Sequence, residues 1–269
     1  MNLPAVLYRL YERRLERGLR PSELPGHVAV IIDGNRRWAR TFGATAAEGH
    51  RQGGAKITEF LSWCEELRIP VATVWMLSTE NLSRDRAELD ELYRIIAGVV
   101  EDIGKRGWKV QLAGAADLLP CEVVQKIHAV QDRDIVSSPL TVNVAVGYGG
   151  RREITDAVRN LLLDADQAGL TPAELAATLT PESIAEHLYT KGQPDPDLII
   201  RTSGEQRLSG FCCGSRCIPN SISAKHIGQV FAAWISCGPC AIMPTGSVAS
   251  APKTSLRGIA TSRRRRHIV

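Results

Sequence analysis

The chain has 269 residues, 44% hydrophobic, 23% charged and 5% aromatic, with Gly 23 and Pro 14, which excludes a collagen-like or wholly disordered protein. No apolar run reaches the ~18 residues of a membrane-spanning helix. Arg9, Glu12, Arg13 and Arg14 interrupt any secretory signal, so a cytoplasmic protein is expected. The net charge of +4 hides an asymmetry: all 29 acidic groups and 25 of the 33 Lys and Arg precede Cys212, a net of −4 for residues 1–211. Residues 212–269 carry eight basic groups and no acid, and five of the seven cysteines: Cys212, Cys213, Cys217, Cys237 and Cys240. Composition divides the chain at Phe211.

In chain order, an amphipathic stretch Leu7–Leu19 precedes a Pro-bounded loop at Pro21–Pro25. Short, β-branched, nearly continuous apolar runs follow at Val28–Ile32, Val71–Leu77, Trp108–Leu112, Val142–Val146 and Leu198–Ile200, the signature of strands buried on both faces. Helical patterns separate them at Gly53–Leu67, Arg86–Gly104, Leu118–Val130 and Arg151–Asp164, then Pro172–Ala177 and Pro181–Tyr189. This alternation predicts an α/β domain with a mainly parallel central sheet flanked by helices.

Ligands of such sheets bind beyond the carboxyl ends of the strands. Polar, Gly-bearing segments stand there: Asp33-Gly34-Asn35-Arg36-Arg37-Trp38 after the first strand, Ser78-Thr79-Glu80-Asn81 with Arg84 after the second, Gly147–Glu153 after the fourth, and Arg201–Ser209 after the fifth. Gly34 permits close backbone approach, and the helix after it offers free N–H groups. Arg36, Arg37, Arg201 and Arg207 can fork onto phosphate oxygens. Asp33, an anion among cations, suits a Mg²⁺ ion bridging a diphosphate. A plainer arrangement stays open at each single loop, with Asp33 capping the next helix and the arginines solvated or paired with Glu48, Glu80 and Glu205. His50, between Gly49 and Arg51, is the one histidine placed to meet an anion, whereas His27, His128 and His187 read as structural or exposed. No P-loop, G-x-G-x-x-G, H-E-x-x-H or G-x-S-x-G motif is present.

The segments His27–Arg40, Ser78–Leu82, Asn143–Glu153 and Asp195–Phe211 together resemble the cis-prenyltransferases, the Z-isoprenyl diphosphate synthase family, over roughly residues 5–211. The opening LYRLYERRL is most similar to actinobacterial short-chain Z-farnesyl diphosphate synthases. The resemblance implies an enzyme that couples an allylic diphosphate to isopentenyl diphosphate with Z stereochemistry, in a six-stranded, mainly parallel fold around an apolar tunnel. By the same resemblance Asp33 binds Mg²⁺ and assists departure of the allylic diphosphate. Gly34, Asn35, Arg36, Arg37 and His50 cradle that group, with Trp38 beside it. Ser78, Thr79, Glu80, Asn81 and Arg84 position the reacting ends, Asn81 accepting the proton, and Arg201, Arg207 and Ser209 hold isopentenyl diphosphate. A homodimer is implied, with no nucleic-acid partner and with product release at the inner face of the cell membrane. Trp75, Met76, Leu77, Leu89, Leu92, Ile95 and Ile96 are tunnel candidates, although plain core is the better account of each one taken singly. Ala46 stands where the family often has Arg, and Leu82 where long-chain members have Trp. The alternatives are a long-chain synthase or a non-catalytic prenyl-diphosphate-binding member.

After Phe211 the family pattern stops. One back-translation of Cys212–Asn220, with a single C placed before it, reads Leu-Leu-Trp-Gln-Ser-Val-His-Ser-Glu-Phe, the family's continuation. A one-nucleotide deletion is therefore expected, leaving 1–211 as a truncated prenyltransferase domain and 212–269 as an aberrant, poorly ordered tail. On this reading the last strand and the C-terminal helix are lost. The family's further Mg²⁺-binding Glu falls at position 220, where this chain has Asn220. Cys237-Gly-Pro-Cys240 and Arg263–Arg266 have too little context for redox or nucleic-acid roles.

Overall fold

The protein is described by a computed structural model covering residues 24–133, 135, 138–203, 205 and 208–211, together with the strand backbone of 220–223. Its six strands are β1 (His27–Ile31), β2 (Val71–Ser78), β3 (Lys109–Ala113), β4 (Thr141–Tyr148), β5 (Leu198–Arg201) and β6 (Asn220–Ser223). They form one sheet in the order β3-β4-β2-β1-β5-β6, with every neighbouring pair parallel. The helices are α1 (Asn35–Thr41), α2 (Ala46–Glu66), α3 (Arg86–Lys105), α4 (Cys121–Gln131), α5 (Gly150–Gln167), α6 (Pro172–Thr178) and α7 (Pro181–Ala185).

Strand alternation sends Val28, Val30, Ala72, Val74, Val142 and Val144 into one core with Ile57, Phe60 and Leu61 of α2, Leu92, Ile96 and Val100 of α3, and Ile127 of α4. The opposite face packs Ala29, Ile31, Trp75, Ala145, Tyr148, Ile199 and Phe211, with Trp75 and Phe211 stacked at a centroid distance of 5.0 Å. That face also carries a buried polar row. His27 Nε2 meets Thr73 Oγ1 at 2.7 Å, Asn143 Nδ2 donates to Thr73 Oγ1 and to Gln193 Oε1, and Gln193 Nε2 donates to Gln111 Oε1. Each member satisfies its neighbour, which is what makes such a row tolerable inside a core.

Among the expectations that change, two stand out. Helix α2 begins at Ala46, seven residues before the predicted start, under a capping box in which Thr45 and Glu48 satisfy each other's backbone N–H groups. The last strand is not lost: Asn220–Ser223 pair with β5 in the register Leu198↔Asn220 to Arg201↔Ser223. Parallel pairing is made by main-chain groups, so the open edge of β5 accepts a strand whatever side chains it carries. The expected C-terminal helix and the opening Leu7–Leu19 lie outside the described residues.

Candidate active site

Strand order creates the site. From β1 the sheet extends one way through β2, β4 and β3 and the other way through β5 and β6, so β1 stands at a switch point, where the loops leaving neighbouring strands diverge and open a crevice. Register then sets the contents. Ile31 is level with both Trp75 and Arg201, which brings Asp33-Gly34 against Arg201–Ser203.

Arg201, 9% exposed, forks onto Asp33 Oδ2 through Nε at 3.1 Å and Nη2 at 2.5 Å. It also donates to Ser209 Oγ at 3.1 Å and pairs with Glu205 at 3.1 Å. Thr202 Oγ1 ties the two loops, accepting from Asp33 N and donating to Asp33 O. Burial alone would raise the Asp33 carboxyl, but the bond and charge of Arg201, with Ser203 and the Gly34 N–H, hold it below the usual carboxylate range. Asp33 is thus kept as an anion. It is not a helix cap: the N-cap of α1 is Gly34, in the left-handed conformation at φ 93°, and its N–H donates to Asp33 Oδ1 at 2.7 Å.

A second charged cluster centres on Glu88, near the start of α3, whose N-cap is Asp85. Its Oε1 faces Arg84 Nη1 at 3.1 Å, His50 Nε2 at 3.2 Å and Arg36 Nε at 3.7 Å. Glu88 therefore gathers two arginines and a histidine from three different segments. Burial, together with the nearby Arg84 and Arg36 charges, lowers the His50 pKa against the opposing pull of Glu88. Arg37 reaches Glu205 at 3.5 Å, as one of the plainer pairings anticipated, whereas Glu48 serves the α2 cap instead.

These groups share one cavity of about 540 Å³, within the range of small-molecule sites. Asp33, Gly34, Asn35, Arg36, Arg37, His50, Ser78, Glu80, Asn81, Arg84, Arg201 and Ser209 all line it. The same cavity is also lined by the apolar residues Ile57, Trp75, Met76, Leu77, Leu92, Ile95 and Ile96. Of the tunnel candidates, Leu89 alone does not line the cavity and packs against the core. Two predicted site residues are also not brought in. Trp38 is 44% exposed and packs on Phe42 one turn along, because the buried position of α1 belongs to Ala39. Thr79 seats against Gly149, and its N–H bonds Tyr148 O, so it closes the β2–β4 end. Arg207 lies outside the described residues. Glu88 is the member that the strand-end logic misses, since it sits on a helix; its only local signal is Arg84 four residues before it.

Cations and hydrocarbon lining one cavity define a site for an amphiphilic anion at the switch point of a parallel α/β sheet. The prenyltransferase family described as "Putative undecaprenyl diphosphate synthase" matches residues 31–219, and the chain belongs to this family. It is 55% identical over 206 residues to a (2Z,6E)-farnesyl diphosphate synthase of Thermobifida fusca, covering 76% of this chain and 81% of that protein. The corresponding Mycobacterium tuberculosis protein, also a (2Z,6E)-farnesyl diphosphate synthase, is 53% identical over 214 residues, covering 78% and 82%. Among solved structures, lavandulyl diphosphate synthase from Lavandula x intermedia, in complex with dimethylallyl diphosphate, matches with a TM-score of 0.72 at 29% identity, over 80% of this chain and 97% of that one. The chain is accordingly a prenyltransferase of mainly parallel α/β fold. Among the described residues no helix is long and apolar enough to cross a membrane.

Proposed function

We propose that the protein transfers a prenyl group from a short allylic diphosphate to isopentenyl diphosphate with Z stereochemistry, giving a short-chain product such as (Z,E)-farnesyl diphosphate. The observation that carries this is the two-part cavity, an anion cradle continuous with an apolar wall, which fits a diphosphate head on a hydrocarbon tail. The names of the Thermobifida and Mycobacterium relatives support the short product.

In this reading Gly34, Asn35, Arg36, Arg37 and His50 hold the allylic diphosphate, and Arg201, Arg207 and Ser209 hold isopentenyl diphosphate. The allylic C–O bond breaks and its electron pair leaves on the diphosphate. The isopentenyl double bond forms the new C–C bond, and a proton lost near Asn81 leaves the Z double bond. The barrier is charge separation, and fixed cations around the departing diphosphate lower it without reorganising. The apolar wall keeps water from the allylic cation. Asp33, anionic and facing the cavity, suits Mg²⁺, which takes one or two carboxylates plus phosphate oxygens. When bound, that ion would neutralise charge on the leaving diphosphate. Incubation with Mg²⁺, labelled isopentenyl diphosphate and either geranyl or farnesyl diphosphate tests the reading. A farnesyl-length product from geranyl diphosphate is expected, and products of decaprenyl length or longer overturn it.

The reading extends to a homodimer in the cytoplasm and to a tail translated out of frame after Phe211. Support for the frameshift comes from the absence of any acid in residues 212–269, where five of the seven cysteines also gather. Inserting one C after the Phe211 codon should raise both the prenyl-transfer rate and the dimer fraction in sedimentation. Equal values for the two proteins refute it.

A further inference from the structure

We propose that Gly53 is a positioning residue for the diphosphate cradle: the missing side chain at Gly53 is the seat of the Asn35 amide. The inference rests on the diphosphate reading of the cavity given above and assigns a role in it to a residue outside the cavity wall.

Helices α1 and α2 cross where α2 presents Gly49 and Gly53, both buried and one turn apart. The two glycines act differently. A Cβ on Gly49 would lie 2.5 Å from Asn35 O and 3.0 Å from Ala39 Cβ, so Gly49 sets the backbone separation of the helices. A Cβ on Gly53 would instead lie 2.5 Å from Asn35 Nδ2, 2.9 Å from Oδ1 and 3.0 Å from Cγ, and none of its nearest neighbours is backbone. The three nearest atoms belong to one amide, that of a residue lining the cavity, and it makes no side-chain hydrogen bond to another described residue. With no hydrogen bond to fix it, the amide is placed by the shape of the groove above Gly53. A methyl group there evicts the far end of a mobile side chain and leaves the fold intact. Alanine also favours helix over glycine at an interior position. Gly53→Ala therefore separates binding from stability in an unusual direction, with a site lost to a substitution that suits its helix.

The test uses the full chain, with inorganic pyrophosphate plus Mg²⁺ followed by calorimetry, and thermal melting alongside. Gly98, an exposed glycine of α3 with nothing within 4 Å of a built Cβ, supplies the control for helix propensity. Gly98→Ala should raise the melting temperature by about 2–4 °C and leave pyrophosphate affinity unchanged. Gly53→Ala should melt no more than a few degrees below the parent, with pyrophosphate bound about tenfold or more weakly, the loss of one hydrogen bond to a charged group. In an Asn35→Ala background, Gly53→Ala should cost nothing further, because it acts only through that amide. Overturning results are parent-like affinity in Gly53→Ala, or an equal loss with and without Asn35. If the parent itself binds no pyrophosphate, the diphosphate reading of the cavity fails, and this inference with it.

Discussion

Replacing Asp33 by Asn tests whether the acid at the end of β1 serves chemistry or architecture. The change keeps the shape and one carbonyl oxygen for Arg201 but removes the charge. A hydrogen bond between charged groups contributes about 1.5–3 kcal/mol. Here the Asp33 side chain is 40% exposed, so solvent screens the pair, and Glu205 still faces Arg201 at 3.1 Å. Discounted accordingly, the expected stability loss is about 1 kcal/mol, or about 2–4 °C in melting temperature for a domain of this size. The effect on turnover should be of another order. Removing a group that stabilises charge developing in the transition state costs about 10²–10³ in rate. The assay is Mg²⁺-dependent incorporation of labelled isopentenyl diphosphate per folded molecule, beside a melting curve. A variant that melts far below the parent yet keeps its specific activity in the folded fraction would falsify the catalytic assignment and leave Asp33 as a brace for Arg201.

Two histidines give pH predictions of different kinds. His27 is buried, and burial lowers its pKa below 6.5 against the opposing Pro194 carbonyl, Asp197 and Asp195. Its contribution to stability is therefore fully present above about pH 6.5 and is lost as pH falls through the lower folded value. Urea denaturation at neutral and acid pH should show that slope, and His27→Gln should flatten it; an unchanged slope refutes the assignment. His50 is also lowered, but a bound diphosphate favours its protonated form, so pyrophosphate affinity should strengthen as pH falls toward 6.5 more steeply in the parent than in His50→Gln. Pyrophosphate ionises identically in both titrations, so parallel curves exclude His50 from the cradle.

Much of the fold is legible because β1, β2, β4 and β5 are apolar runs buried on both faces, and β1 to β5 all fall within two residues of their predicted limits, whereas β6 is not expected from the sequence. The failures have local causes. The first turns of α2, Ala46–Gln52, show no apolar periodicity because Gly49 and Gly53 face α1 through absent side chains rather than hydrophobic ones. The signal that does mark the start, Thr45 three residues before Glu48, is a capping pattern and not a periodic one. Helix α4 begins only at Cys121 because Leu118 closes a short 3₁₀ turn and Pro120 takes the N-cap. Likewise α7 ends at Ala185, four residues short, where Glu186 becomes the C-cap.

The site is legible to the extent that parallel strands deliver their following residues to one rim, which is why Asp33, Ser78, Asn81 and Arg201 could be grouped from spacing alone. Spacing does not reveal which rim residues turn inward. Trp38 and Thr79 occupy the same loops as true lining residues and are turned aside by Ala39 and Gly149, relations that depend on packing between elements distant in sequence. Glu88 shows the converse. It belongs to no strand-end loop, yet its carboxylate meets Arg36, His50 and Arg84 from three segments, because α3 packs against α2. A cluster of cations can be held near one another only if something offsets their repulsion while no diphosphate is present. The carboxylates of Glu88 and Asp33 do this, Glu88 for Arg36 and Arg84, and Asp33, with Glu205, for Arg201. Preorganisation of the cradle is thus built from paired charges, and its acidic members are as much a part of it as the arginines that face the ligand.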